Sequence, residues 1–220
     1  MTGPFDLTGQ LAVVTGASRG IGFAMAEALA KAGADIIGVS TNLAPGSDIE
    51  KAVRATGRSF EALSCDFSDE NSVTALSAEL STRPIDVLVN NAGTIKRAPA
   101  VEHPLEWWDE VLRVDLTSQF VLTQAVAAGM LKRGHGKVIF TASLLSFQGG
   151  VNVPGYAAAK SGIAGLTRAL ANEWTKDGVT VNVPTFAFGV DNKTPEFLAL
   201  NPNGKVPTLK TADGQGIFER

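Results

Sequence analysis

The sequence predicts an α/β fold with a doubly wound parallel sheet, and two observations carry this prediction. Short runs rich in β-branched residues alternate with segments of helical periodicity. Polar and glycine-rich motifs follow the strand-like runs, and ligands of such sheets bind outside the carboxyl ends of the strands. The predicted strands cover residues 11–14, 35–39, 59–63, 85–89, 137–141 and 179–183.

Helical signals lie between these strands. Ile21, Met25 and Leu29 form an apolar stripe at helical spacing, and Gly33 is a typical stop after it. In the next helical segment, Ser47 starts the sequence S-D-I-E, which has the pattern of a capping box. Because helices separate successive strands, the strands are expected to pair in parallel.

Bulk properties exclude several classes of function. The 220 residues are 45% hydrophobic and 19% charged, with a formal net charge of -3, which predicts one domain with a sizeable core. No basic stripe is present, so a nucleic-acid partner is not expected. No apolar run reaches the roughly 20 residues that cross a bilayer, and the first residues lack a signal-peptide pattern. We therefore expect a cytoplasmic protein without a membrane partner.

Neither a disulfide nor a metal site is expected. Cys65 is the only cysteine, and its strand-like surroundings favour a buried small side chain over a nucleophile. His103 and His135 lie far apart in the sequence, and neither has a cysteine or carboxylate at metal-ligand spacing. We assign none of the three a function.

A glycine-rich segment, T-G-A-S-R-G-I-G, follows the first predicted strand and leads into the first helix. Gly16, Gly20 and Gly22 would let the backbone approach a pyrophosphate, which the amides and the dipole of a helix N-terminus bind. The spacing differs from the dinucleotide pattern G-x-G-x-x-G. Taken alone, the segment is also compatible with a tight turn that binds nothing.

The residues after the second and third strands bear on which dinucleotide binds. Ser40 and Thr41 leave room for a 2'-phosphate, and Arg19 is placed to pair with it, which favours NADP(H). If Arg19 is only solvated, the neutral pocket accepts NAD(H) or NADP(H). Asp66 is placed to accept a hydrogen bond from an adenine amino group, and the S-D pair after Phe67 is placed to cap the next helix.

Tyr156 and Lys160 form the most informative pair in the chain. Residues i and i+4 share a helix face, so the ammonium can favour the ionised phenol, whose pKa is otherwise about 10. Pro154 marks the start of this helix, and the positive end of the helix dipole acts in the same direction. A half-buried tyrosine beside a solvated lysine is the alternative for this pair alone.

Two further segments complete a recognisable order of motifs. N-N-A-G follows the fourth strand, where Asn90 can bond neighbouring backbone and Gly93 lets the chain pass close to a cofactor. Ser143 follows the fifth strand. The glycine loop, N-N-A-G, Ser143 and Y-A-A-A-K resemble the short-chain dehydrogenase/reductase family over about residues 5–183. S-L-L-S-F-Q-G-G, V-N-V-P-G-Y and A-N-E-W are most similar to its sugar-acid enzymes, such as 2-dehydro-3-deoxy-D-gluconate dehydrogenases and gluconate 5-dehydrogenases.

This resemblance implies a Rossmann fold and an NAD(P)-dependent oxidoreductase. Tyr156 would be the proton donor or acceptor, Lys160 would lower its pKa and bind the nicotinamide ribose, and Ser143 would hold the substrate oxygen. Hydride would pass between nicotinamide and an alcohol carbon. The cofactor positions that match are Gly16, Ser18, Arg19, Gly20, Ile21, Gly22, Ser40, Asp66, Phe67, Asn90, Ala92, Gly93, Tyr156 and Lys160.

One position departs from the family pattern. The fourth functional residue of the family is an asparagine in the long central helix, whereas V-L-R-V-D-L has Asp115 there. If the family's proton relay uses mainly the helix kink and a backbone carbonyl, Asp115 serves as well. If the relay needs a side-chain amide, turnover suffers.

An acidic substrate would need a cation near the mouth of the site. Lys96 and Arg97 follow N-N-A-G and are candidates, although a solvated basic pair explains them equally well. Gln148 and Asn152 are candidates for binding sugar hydroxyls, beside Ser143. The three tryptophans are expected to pack helices in preference to stacking on a sugar.

The resemblance to the dehydrogenases stops near residue 183, so we expect a sheet truncated after its sixth strand, without the family's substrate lid. Residues 184–220 resemble a fragment of the glutathione-transferase N-terminal domain, closest to the version in the gamma subunit of elongation factor 1. There, a helix after Thr194 leads to a strand opened by Pro207 and then to a hairpin. Arg220 stands where a serine helps to hold glutathione, so no transferase is expected.

Three functional hypotheses follow. The first is a nicotinamide oxidoreductase that acts on a hydroxyl or keto sugar acid. The second is a dinucleotide-binding module with little or no turnover, because a missing lid and last strand would open the site to water. The third is a translation-associated interaction protein that binds through its tail. Family members pair through helices that match residues 107–133 and 155–174, so a homodimer is expected.

Overall fold

The computed structural model describes residues 6–183 and two short strands, 208–210 and 216–218. Six parallel strands form one sheet in the order β3-β2-β1-β4-β5-β6. They are β1 Leu11–Thr15, β2 Asp35–Ser40, β3 Phe60–Ser64, β4 Val87–Asn90, β5 Gly136–Phe140 and β6 Val179–Asn182. The predicted fold class is confirmed, and the largest difference in bounds is at β4, which was expected to begin at residue 85.

Helices connect the strands as predicted. Within residues 6–183, the α-helices are α1 Gly20–Lys31, α2 Asp48–Ala55, α3 Glu70–Ser81, α4 Leu105–Leu112, α5 Ser118–Arg133 and α6 Pro154–Trp174. A π-helical turn, Arg113–Thr117, joins α4 to α5, so the predicted long central helix is interrupted in its middle. Such turns widen the helix locally and are frequent at functional sites.

Two predicted helix caps are present. The Ser47 hydroxyl accepts a hydrogen bond from Glu50 N at 3.4 Å, and the Asp69 carboxylate accepts from two amides of the first turn of α3. The second half of the capping box differs, because the Glu50 carboxylate accepts from Gly46 N at 2.7 Å, one residue before the cap. Both caps satisfy amides that have no partner within their helix.

Apolar clusters cover both faces of the sheet. Consecutive residues of a strand point to opposite faces, so Val13 packs on the side of α3, α5 and α6, whereas Ala12 and Val14 pack on the side of α1 and α2. This two-sided burial explains why the strands read as continuous apolar runs. Trp174 is buried in the first cluster, and Cys65 is buried there too, as expected.

The strand order places the candidate site. β1 pairs with β2 on one side and with β4 on the other. The first half of the chain therefore extends the sheet from β1 through β2 to β3, and the second half extends it in the opposite direction from β4 to β6. A crevice opens at such a point beyond the carboxyl ends of the strands. The register Ala12↔Val87 and Val14↔Val89 brings the glycine loop after β1 beside the N-N-A-G segment after β4.

In the tail, β7 Thr208–Lys210 pairs antiparallel with β8 Gly216–Phe218, where the sequence predicts a hairpin. The helix predicted after Thr194, as well as Pro207 and Arg220, lies outside the described residues. Among the described segments, no helix is both long enough and apolar enough to cross a membrane.

Candidate active site

The glycine loop has the form of an anion cradle. Gly16 has a left-handed φ of 68°, and a Cβ on Gly22 would lie 2.2 Å from the Gly16 carbonyl oxygen, so a side chain cannot fit there. Arg19 precedes α1 in an extended conformation and gives no side-chain cap, while Ser18 and Arg19 are both exposed. The first amides of α1 are therefore available to a phosphate, and the cradle fits a dinucleotide.

Hydrogen bonds from β2 hold this loop in place. Gly16 N and Ala17 N both donate to the Val39 carbonyl, at 2.8 and 3.2 Å. Ser18 N donates to the Ser40 hydroxyl at 3.1 Å, and that hydroxyl donates to Val39 O at 2.7 Å. The buried Ser40 side chain is thus engaged inside the fold, and it positions the loop in place of facing a 2'-phosphate.

The residues after β3 divide between the surface and the core. The exposed Asp66 carboxylate accepts from the Ser68 amide at 2.9 Å and from its hydroxyl at 2.7 Å, which holds the pKa of Asp66 below its usual value. The Phe67 ring is buried, and its carbonyl accepts from the Ser118 hydroxyl at 2.7 Å. Phe67 is therefore engaged inside the fold, whereas Asp66 lies at the surface.

Three polar residues that the sequence analysis missed tie the site together. Thr15 Oγ1 accepts from the amides of Asn91 and Ala92, both at 2.9 Å. The Asn91 side chain donates to Thr15 O at 3.1 Å and accepts from Thr141 Oγ1 at 3.3 Å. These bonds join the ends of β1, β4 and β5. The signal in the sequence is that each residue stands at the end of a strand or directly after it.

The remaining residues of N-N-A-G are placed less directly. Asn90 is fully buried, and its amide donates to Thr123 Oγ1 at 2.8 Å, so its side chain braces α5. The Ala92 carbonyl accepts from Gln119 at 2.8 Å. Gly93 is exposed, and a Cβ there would lie 3.2 Å from Asp115 Oδ2. Of these three residues, only Gly93 is exposed.

Ser143 is fixed by a short 3-10 turn, Leu144–Ser146, that follows β5. Its hydroxyl accepts from Leu145 N at 3.2 Å, and its amide donates to Ser146 Oγ at 3.2 Å. Ser146 Oγ in turn donates to the Lys160 carbonyl on α6 at 2.7 Å. The turn therefore holds Ser143 against the helix that carries Tyr156 and Lys160, and the structure brings all three together.

The ionisation of Tyr156 differs from the expectation. Its pKa is raised, first because burial disfavours the phenolate and also because the negative charge of Asp115 repels the phenolate. A hydrogen bond with Ser143 and the positive charge of Arg97 lower this pKa, but they do not offset the rise. Lys160 Nζ lies 5.5 Å from the centre of the phenol ring. The expected lowering by Lys160 is not found, because this ammonium is bound elsewhere.

Lys160 and Asp115 form a buried ion pair. Lys160 is 3% exposed and Asp115 is fully buried, and Lys160 Nζ lies 3.4 Å from Asp115 Oδ2. Lys160 Nζ also donates to Thr141 O at 2.9 Å, while Asp115 Oδ1 accepts from Thr94 N at 2.7 Å. Burial raises the pKa of Asp115 and lowers that of Lys160, and each charge opposes the shift of the other.

The predicted basic pair separates into two environments. Lys96 Nζ pairs with Glu110 at 2.9 Å and lies 5.9 Å from the centre of the Trp107 ring. Arg97 is exposed, and its charge acts on the phenol of Tyr156. Of the two, Arg97 is therefore the cation whose charge acts on Tyr156.

Gln148 and Asn152 are both exposed in the loop before α6. Asn152 has a left-handed φ of 62°, and its carbonyl accepts from Ala98 N at 3.0 Å. This bond brings the loop beside the residue that follows Arg97. Trp108 lies on α4 against Gly155, which agrees with a packing role.

Comparisons with known proteins agree with this geometry. A 2-dehydro-3-deoxy-D-gluconate 5-dehydrogenase of Pseudoalteromonas atlantica is 55% identical over 181 residues, which are 81% of this chain and 71% of that protein. The enzyme of the same name from Bacillus subtilis is 50% identical, over 81% of this chain and 70% of its own length.

Solved structures show the same fold. A putative 2-deoxy-d-gluconate 3-dehydrogenase from Agrobacterium tumefaciens with bound NADP superposes with a TM-score of 0.77 at 46% identity, over 82% of this chain and 72% of that one. A putative gluconate 5-dehydrogenase from Beutenbergia cavernae, with NADP at low occupancy, gives 0.80 at 42% identity, over 92% and 86%.

Two family models match the chain. The model of the glutathione S-transferase N-terminal domain matches residues 174–219, which supports the resemblance noted for the tail. The model of the short chain dehydrogenase matches residues 10–188, which include the glycine loop, N-N-A-G, Ser143, Tyr156 and Lys160. The chain therefore belongs to the short chain dehydrogenase family.

Proposed function

We propose that this chain is an NAD(P)-dependent oxidoreductase that interconverts a secondary alcohol and a ketone on a sugar acid, with the nicotinamide supplying or accepting the hydride. One observation carries the proposal. Ser143, Tyr156 and Lys160 converge beside a glycine loop that can hold a pyrophosphate. The sugar-acid class rests on the names of the relatives and on the exposed Arg97 near the phenol.

Each residue of the cluster has a distinct task. The Tyr156 phenol gives its proton to the substrate oxygen during ketone reduction and takes it back during alcohol oxidation. The Ser143 hydroxyl holds that oxygen by a hydrogen bond, and its own position is fixed by the 3-10 turn. Lys160, held between Thr141 O and Asp115, would bind the ribose of the nicotinamide.

The proposed cofactor is NADP(H) in preference to NAD(H). Arg19 and Thr41 are exposed at the ends of the glycine loop and of β2, where the 2'-phosphate would lie. We expect Arg19→Ala to weaken NADPH binding by about 10- to 100-fold and to leave NADH binding nearly unchanged, because a charge-assisted hydrogen bond contributes about 1.5–3 kcal/mol. Fluorescence titration with both cofactors measures this, and an equal loss for both would contradict the role of Arg19.

The function is tested by turnover in the same sample. We expect wild type to oxidise at least one acid of a panel that includes D-gluconate, and Tyr156→Phe to lose about 10²- to 10⁴-fold in kcat with unchanged cofactor binding. Wild-type hydride transfer by Tyr156→Phe would refute the assignment. Saturable cofactor binding by wild type without turnover on any member of the panel would favour the dinucleotide-binding module.

We further propose that residues 1–183 form the dehydrogenase domain, that 184–220 form a separate glutathione-transferase-like segment, and that the chain is a homodimer. The dimer would use α4, α5 and α6, where Leu105 and Phe120 expose apolar side chains. Light scattering on the eluting protein tests this, and a monomer at micromolar concentration would refute it. The cytoplasmic location stays a prediction.

A further inference from the structure

Asp115 puts a negative charge where the family resemblance expects a neutral amide. The charge is fully buried, and the carboxylate is clamped from two sides, by Thr94 N at 2.7 Å and by Lys160 Nζ at 3.4 Å. The π-helical turn carries it into this position. A carboxylate without solvent interacts with its neighbours far more strongly than an exposed one.

This charge changes what Lys160 can do for Tyr156. The ammonium is directed at Asp115 Oδ2 and at Thr141 O, and it lies 5.5 Å from the centre of the phenol ring. A cation that is paired with an adjacent anion exerts little net field on a third group. The Tyr156 phenolate therefore lacks the positive neighbour that the i, i+4 spacing suggested.

We propose that Asp115 is a positioning residue that disfavours the Tyr156 phenolate, because its carboxylate binds the Lys160 ammonium that would otherwise stabilise the phenolate and adds a negative charge of its own. Within the described residues, the charged groups that act on this phenol are Asp115 from the π-helical turn, Arg97 from the loop after β4 and Lys160 from the same helix. Ser143 adds a hydroxyl from the turn after β5. Asp115 is the only anion among them, and it acts against Arg97.

For the proposed reaction, on which this consequence rests, the two directions then differ in their pH dependence. Ketone reduction needs the phenol O–H, which gives its proton to the oxygen that becomes the hydroxyl, so its rate holds through neutral pH. Alcohol oxidation needs the phenolate, which takes the hydroxyl proton, so its rate rises with pH until the phenol is ionised. One group carries the proton, so both profiles report the same ionisation.

The test uses the fact that Tyr156 is the only tyrosine in the chain. Ultraviolet difference absorbance of tyrosinate therefore follows this residue alone, without any substrate. We expect Asp115→Asn, which keeps an acceptor for Thr94 N, to move the midpoint to lower pH by about one unit or more. Asp109→Asn, an equal change of charge at an exposed position on α4, serves as the control and leaves the midpoint unmoved.

The kcat/KM profile for alcohol oxidation is measured in parallel, and its rising limb should move by the same amount. Circular dichroism at each pH verifies the fold, and Asp115→Ala is the second variant with the same expectation. An unmoved tyrosine midpoint in the folded variants overturns the proposal. A moved midpoint in proteins that oxidise no sugar acid leaves the proposal standing and refutes the proposed function instead.

Discussion

Replacing Lys160 by methionine tests the buried ion pair as a determinant of stability. Methionine keeps much of the length and volume of the side chain but leaves the Asp115 carboxylate without its cation. Lys160 is 3% exposed and Asp115 0%, so water cannot replace the lost partner. Removing one member of such a pair costs about 3–5 kcal/mol. For a domain of this size that corresponds to a fall in Tm of roughly 6–20 °C, at about 2–4 °C per kcal/mol.

The sign of the pH dependence identifies the cause. Without Lys160, burial raises the folded-state pKa of Asp115 further above its unfolded value. The folded state then binds more protons than the unfolded state between the two values, so stability falls as pH rises through this window. The deficit of Lys160→Met should therefore be largest at neutral pH and should shrink in acid.

The double variant Asp115→Asn/Lys160→Met is the matched control. It removes both charges, so it should recover at least half of the unfolding free energy that Lys160→Met loses. Its difference in unfolding free energy from wild type should not become smaller as the pH falls. Urea unfolding at several pH values measures all three proteins. Equal destabilisation of the single and double variants, or a deficit that does not change with pH, would show that lost packing and not an unpaired charge is responsible.

Two further predictions concern ligands. Arg97→Ala should raise KM for a sugar acid about tenfold with little change in kcat. Lys96→Ala is the control and should leave KM unchanged, because the Lys96 ammonium is already paired with a carboxylate on α4. Initial-rate kinetics measure both variants, and equal effects on KM would contradict a role for Arg97 in substrate binding. Gly22→Ala should abolish dinucleotide binding, because the new Cβ would lie 2.2 Å from Gly16 O. Gly165→Ala is the control and should keep binding, because its Cβ would lie 3.9 Å from the nearest neighbouring atom. Retained binding by Gly22→Ala in a fluorescence titration would contradict the assignment of the glycine loop as the pyrophosphate site.

The fold follows from the sequence because both faces of the sheet are buried. Continuous apolar runs such as L-A-V-V-T and D-I-I-G-V-S have no alternation, and that pattern together with intervening helices leaves few architectures other than a parallel sheet. The position of the motifs after strand ends then predicts a site beyond the carboxyl ends of the strands, whereas the order of the strands comes from the structure. Helix caps at Ser47 and Asp69 were predictable because a cap depends only on residues next to it in the sequence.

The polar contacts of the site are less accessible to sequence reasoning because they join residues distant in the chain. Thr15, Asn91 and Thr141 meet only when β1, β4 and β5 are adjacent, and no local pattern distinguishes them from ordinary polar residues. Ser40 has the position expected of a cofactor contact, yet its hydroxyl bonds to the glycine loop. The direction in which a side chain points and the extent of its burial decide such roles, and both are properties of the folded chain.

For Tyr156 and Lys160, sequence spacing predicts proximity but not ionisation. The i, i+4 interval correctly places both on one face of α6, but it predicts that the ammonium serves the phenol, whereas the pKa of Tyr156 is raised. Burial of the phenol is the first cause, and Asp115, which lies far earlier in the chain and pairs with the same ammonium, adds to it. A helix face brings two groups together, but their burial and the charge that a third element adds determine how readily each of them ionises.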